Sequence, residues 1–140
     1  NDRAYDSESR VVRRLVYITS GKLFIFADGY IRSEDRVERL ISEFNGIRTN
    51  TLAYDEESCI IRRVKDITLS GTVLFEEGYI RTPSQVQALV TATASGISAK
   101  SQVLDTESNV IRTVAYVTAE NLIIFADGYI RSLSQVSRLQ

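Results

Sequence analysis

Between Arg10 and Thr19 the side chains alternate. Val11, Arg13, Leu15 and Tyr17 fall on one side of the chain, and Val12, Arg14, Val16 and Ile18 on the other. Period two in a run rich in β-branched residues predicts a strand. After a break at Ser20-Gly21, Leu23-Phe24-Ile25-Phe26 is apolar throughout, which predicts a short strand covered on both faces. Asp28-Gly29 signals a hairpin, because glycine accepts positive φ without a Cβ penalty. Tyr30-Ile31-Arg32 then reads as a brief returning strand.

Beyond this point the pattern predicts a helix. Val37, Leu40, Ile41 and Phe44 recur at helical spacing, as do Val86, Leu89 and Val90 further on. Thr82-Pro83-Ser84-Gln85 and Ser132-Leu133-Ser134-Gln135 have the form of capping boxes, in which a hydroxyl and a glutamine satisfy amides that a helix start leaves open. Pro83 falls at the first helical position, where its missing N–H costs nothing. Ser33-Glu34-Asp35 places acids in the first turn instead. Gly46 and Gly96 stand where a glycine cap would end the helix.

This whole pattern is written three times. The segments from Asp6, Asp55 and Asp105 align without a gap through Arg32, Arg81 and Arg131, and FADGYIRS at Phe26–Ser33 returns unchanged at Phe125–Ser132. A fixed period of this size marks a repeat architecture. The expected fold is α+β: three tandem β-β-β-β-α repeats, each an antiparallel meander followed by a capped helix, packed linearly or about a pseudo-threefold. A β-trefoil is the alternative. Residues 1–140 form one domain, with repeats at 1–49, 50–99 and 100–140. Only Asn1–Tyr5 precede the first turn, so the opening strand of repeat one reads as clipped.

Seventeen basic against eighteen acidic residues, net charge −1 and a pI near 5.5 argue against a dominant nucleic-acid or anionic-membrane footprint. No apolar run reaches membrane-span length and no signal-peptide pattern opens the chain. The absence of an initiator Met suggests a processed or excised product. The single Cys59 has no intrachain partner, and its slot holds Arg10 and Asn109 in the other repeats, which predicts a surface thiol. A cytoplasmic location follows from these features.

The residues kept in all three repeats are the candidate interaction or structural network. Asp6, Asp55 and Asp105 mark the first turn with the glutamates and serines that follow. Arg13, Arg62 and Arg112 lie on the long strand. Tyr30, Tyr79 and Tyr129, with Arg32, Arg81 and Arg131, mark the last hairpin. A guanidinium lying along apolar neighbours wants a carboxylate, and the repeated acids are the natural partners. Catalytic chemistry finds little support. There is no histidine, the lone cysteine has no base beside it, and no phosphate loop or metal-ligand spacing occurs. No enzyme activity, cofactor or metal is expected. The leading expectation is a non-catalytic module for protein interaction or self-association. The alternatives are single-stranded nucleic-acid binding through a sheet face carrying Arg10, Arg13, Arg14 and Tyr17, and a carbohydrate-binding module with three equivalent sites.

Overall fold

The structure is a computed structural model and describes residues 2–139. Repeat one contains β1 (Arg3–Asp6), β2 (Val11–Ile18), β3 (Leu23–Phe26), β4 (Ile31–Ser33), β5 (Val37–Ile41), β6 (Glu43–Phe44) and β7 (Ile47–Arg48). Repeat two contains β8 (Leu52–Asp55), β9 (Ile60–Thr68), β10 (Val73–Phe75), β11 (Ile80–Arg81) and β12 (Val86–Val90). Repeat three contains β13 (Gln102–Asp105), β14 (Val110–Thr118), β15 (Ile123–Phe125), β16 (Ile130–Arg131) and β17 (Val136–Arg138). The opening strands β1, β8 and β13 are four residues long in every repeat.

The α+β expectation is corrected here. No α-helix occurs among the described residues, and the fold is nearly all antiparallel sheet. Ser33, Thr82 and Ser132 each lead into a single 3-10 turn, Glu34–Arg36, Pro83–Gln85 and Leu133–Gln135, and then into a strand. The capping box at Ser132 does form, with the Ser132 N–H donating to Gln135 Oε1 at 2.9 Å, but it caps only that one turn. Gly46 and Gly96 have φ of +84° and +89° and sit in tight turns rather than at helix ends.

The physical reason lies in the partners these segments meet. A helix of one or two turns is marginal in water on its own. As strands, the same residues find backbone partners along their whole length, with one neighbouring strand after another. The first half of β5 pairs with β1 (Ala4↔Arg39, Asp6↔Val37), and its second half pairs with β9 (Leu40↔Thr68, Ile41↔Ile67). β12 does likewise, pairing first with β8 (Val86↔Asp55, Ala88↔Ala53) and then with β14 (Leu89↔Thr118, Val90↔Val117). The closing strand thus reaches from the first strand of its own repeat to the long strand of the next.

The long strands also depart from strict alternation. Against β3, Leu15 pairs with Phe26 and Tyr17 with Ile25, so Val16 is an extra residue. Lys65 and Ala115 occupy the same bulge in β9 and β14. A bulge re-aims the side chains beyond it. Leu15 and Ile18 consequently turn toward the same side, where period two had placed them on opposite faces.

The chain divides into two compact units. One comprises Asn1–Phe44, Arg48–Thr51 and Arg63–Pro83; the other comprises Asn45–Ile47, Leu52–Arg62 and Ser84–Gln140. The second has a well-closed core of Ile97, Val103, Val114, Val117, Ile123 and Phe125, with Leu133 and Val136 packed against it. In the first unit Val64, Ile67 and Val73 are wholly buried, and Phe26 and Phe75 nearly so.

Candidate functional site

The repeated polar residues converge on one carboxylate. Asp6 ends β1, and its side chain turns back on the following loop, where Oδ1 accepts the N–H groups of Glu8 at 3.0 Å and Ser9 at 3.3 Å. That is the local turn chemistry expected of Asp at this position. Two arginines complete the site: Arg13 Nε donates to Oδ2 at 2.9 Å, and Arg32 Nε to Oδ1 at 2.8 Å. Arg32 also donates to Ser9 Oγ at 3.0 Å. The Arg13 guanidinium lies 3.8 Å from the centroid of the Tyr30 ring, and its outer nitrogen bonds Asp28.

Repeat three rebuilds the arrangement almost atom for atom. Asp105 accepts from Glu107 N at 3.0 Å, Ser108 N at 3.4 Å, Arg112 Nε at 2.9 Å and Arg131 Nε at 2.8 Å. Arg112 lies 3.9 Å from the Tyr129 centroid and donates to Asp127. In repeat two Asp55 accepts from Glu57 N at 3.0 Å and Arg62 Nε at 2.9 Å, and Arg81 lies 5.2 Å from the Tyr79 centroid. Sequence reasoning named all of these residues. It passed over Asp28 and Asp127, the outer partners of the long-strand arginines; the Asp-Gly pair had been read only as a turn.

Each of the three aspartates is fully buried. Burial pushes the Asp6 carboxyl upward, but hydrogen bonds from Arg13 and Arg32 and from the Ser9 N–H outweigh it and hold the group down to about 2. Asp105 is held lower still against the same effect of burial, by Arg112 and Arg131. The Arg13 and Arg112 guanidinium groups are raised in turn, mainly by these aspartates. A carboxylate whose acceptor positions are filled by two guanidinium groups and two amides has neither the basicity of a general base nor a free lone pair for a metal. Its chemistry is to tie the first turn, the long strand and the last hairpin of repeats one and three into one piece. Tyr30 and Tyr129 lie against the arginines of these two sites, each about half exposed. Among the described residues no cluster of three or more His, Cys, Asp or Glu could hold a metal ion, and no helix is long and apolar enough to cross a membrane.

A second feature lies in the first compact unit and was not foreseen. Ala4, Leu15, Ile18, Phe24, Val37 and Leu40 line an open groove of about 890 Å³. Asp2, Arg3, Glu34, Glu38 and Arg39 form its polar edge. The repeat alignment carried no signal for it, since Ile18, Ile67 and Val117 hold one place in the repeat and all are apolar. Ile18, at one wall, is 48% exposed, whereas its counterparts Ile67 and Val117 are 0% exposed. Near it Val16, Tyr17, Leu23 and Ile31 are also exposed. An apolar patch of this kind marks a surface for partners more often than a monomer's ordinary exterior.

No protein-family model, curated protein or solved structure matches this chain.

Proposed function

We infer that this chain is a non-catalytic assembly module, in which three copies of one β unit form a scaffold and the first copy offers an apolar surface to another protein. The observation that supports this reading is the disparity at one repeated position: Ile18 is half exposed while Ile67 and Val117 are completely buried. Of the groove walls, Ala4, Leu15, Ile18 and Phe24 have counterparts that are buried in both other repeats. Exposed apolar surface of this extent lowers free energy when covered. The Asp–Arg–Tyr networks serve the scaffold, holding their repeats rigid behind the surface.

Self-association of the isolated chain tests this reading. Sedimentation velocity over a range of concentrations should show reversible association, and Ile18→Arg should weaken it without lowering the content of β-structure. A chain that stays monomeric at every concentration, with the Ile18→Arg variant indistinguishable from it, would refute the assembly role.

A further inference from the structure

The second compact unit shows what fills the equivalent of the open groove. In repeat three the counterparts of Ala4, Leu15, Ile18 and Phe24 are Val103, Val114, Val117 and Ile123, all members of a hydrophobic core, with Val136, the counterpart of Val37, packed against it, while Leu139, the counterpart of Leu40, is exposed. Ile97, which is 4% exposed, completes that core. It reaches the core on a tight turn that joins repeats two and three. The Thr93 N–H donates to Ile97 O at 2.8 Å, the Ile97 N–H donates to Thr93 Oγ1 at 3.1 Å, and Gly96 takes a φ of +89°. Gly46-Ile47 holds the corresponding place one repeat earlier, on a different turn in which Asn45 (φ +52°) joins Gly46 at positive φ, with Ile47 also 4% exposed. In repeat three such an isoleucine is packed into the core, whereas no isoleucine from such a turn is among the residues that line the groove of repeat one.

The backbone leading into the groove is already in register for such an isoleucine plug. Leu15 N–H donates to Asp2 O at 2.8 Å, as Val114 N–H donates to Ser101 O at 2.8 Å. We propose that the groove of repeat one is an acceptor site for the glycine–isoleucine turn of a further unit of this same repeat, which would seat its isoleucine between Leu15, Ile18, Phe24 and Val37 as Ile97 is seated in repeat three. Ile47 and Ile97 are themselves buried, so a folded copy of residues 2–139 has neither turn to lend. The donor is a turn that its own chain leaves free. This assignment rests on the reading of the groove as a surface for another protein, not on self-association of the chain, and specifies that partner.

The test extends the chain so that the plug is always within reach. Residues 90–99 (VTATASGISA) are placed directly ahead of Asn1, where the alignment puts their isoleucine opposite the groove. A matched extension carries Ile97→Asp in the added segment only. The expected result is a urea midpoint about 1 M higher for the isoleucine extension than for the aspartate one, the scale set by burying one such side chain. Hydrogen exchange at Leu15 and Ile18 should slow only in the isoleucine form. Equal midpoints and equal exchange in the two extensions would overturn the proposal, even if the unextended chain self-associates through Ile18 and the broader reading stands. A difference between the extensions upholds it, even if the unextended chain proves monomeric and self-assembly falls.

Discussion

Truncating one repeated position in all three copies isolates the effect of burial from that of chemistry. Ile67 is completely enclosed, and Ile67→Ala removes three carbons from its site. At about 0.8 kcal/mol per buried methylene the transfer loss is about 2.4 kcal/mol, and incomplete collapse of the cavity raises the cost to about 3–4 kcal/mol. Val117→Ala removes two carbons from an equally closed site, which costs about 2–3 kcal/mol by the same reasoning. Ile18→Ala changes a side chain that is 48% exposed at the edge of an open groove. Only about half of the transfer loss applies and no enclosed cavity forms, so the cost is about 1 kcal/mol. Urea unfolding followed by circular dichroism and by tyrosine fluorescence measures all three, and coincidence of the two signals checks that one transition is being read. With a slope near 2 kcal/mol per molar, midpoints should fall by about 1.5–2 M, 1–1.5 M and 0.5 M respectively. If Ile18→Ala proves as costly as Ile67→Ala, the groove is closed in solution and the argument built on it fails.

Other outcomes follow from the turns and the buried carboxylates. The Asp6 carboxyl is held at about 2 in the folded chain, below the value of about 3.9 of an unfolded aspartate. On acidification the unfolded state takes up the proton first, so this stabilisation is complete above about pH 4 and is lost as pH falls toward about 2; unfolding midpoints measured across that range should show the loss, and Asp6→Asn should flatten it. Gly71→Ala should be among the most damaging glycine changes, because φ is +96° and a Cβ there would lie 2.5 Å from the Phe44 ring, whereas Gly128→Ala meets open space and carries only the backbone strain. Thermal melts should rank Gly71→Ala below Gly128→Ala, and the reverse order would contradict the geometry. Cys59→Asn should leave stability unchanged or raise it by up to ~1 kcal/mol, since asparagine tolerates left-handed backbone better than cysteine and φ at Cys59 is +58°, matching +59° at Arg10 and Asn109. A fall in melting temperature would count against the shared turn.

The amino-acid sequence by itself determined the repeat and most of its strands. Leu23–Phe26 was read with the bounds the structure gives it, and the long strands, Asp-Gly hairpins and first-turn aspartates were read closely, because alternation and turn chemistry are local properties. The sequence also singled out the residues of the Asp–Arg–Tyr network, since a position retained in three copies is visible without coordinates. Tertiary structure alone decided the segments after Ser33, Thr82 and Ser132. Val37, Leu40 and Ile41 satisfy a helical spacing and a strand equally well over so short a run, and the choice went to the strand because β1 and β9 offer unpaired edges that a helix would leave open. The bulges at Val16, Lys65 and Ala115 were beyond reach for the same reason. An extra residue is defined only against its partner strand, and that partner also decides that Leu15 and Ile18 share a side. Whether an isoleucine is core or surface is likewise set by what lies across from it: Ile67 and Ile18 occupy the same place in the repeat, and only the packed molecule separates them.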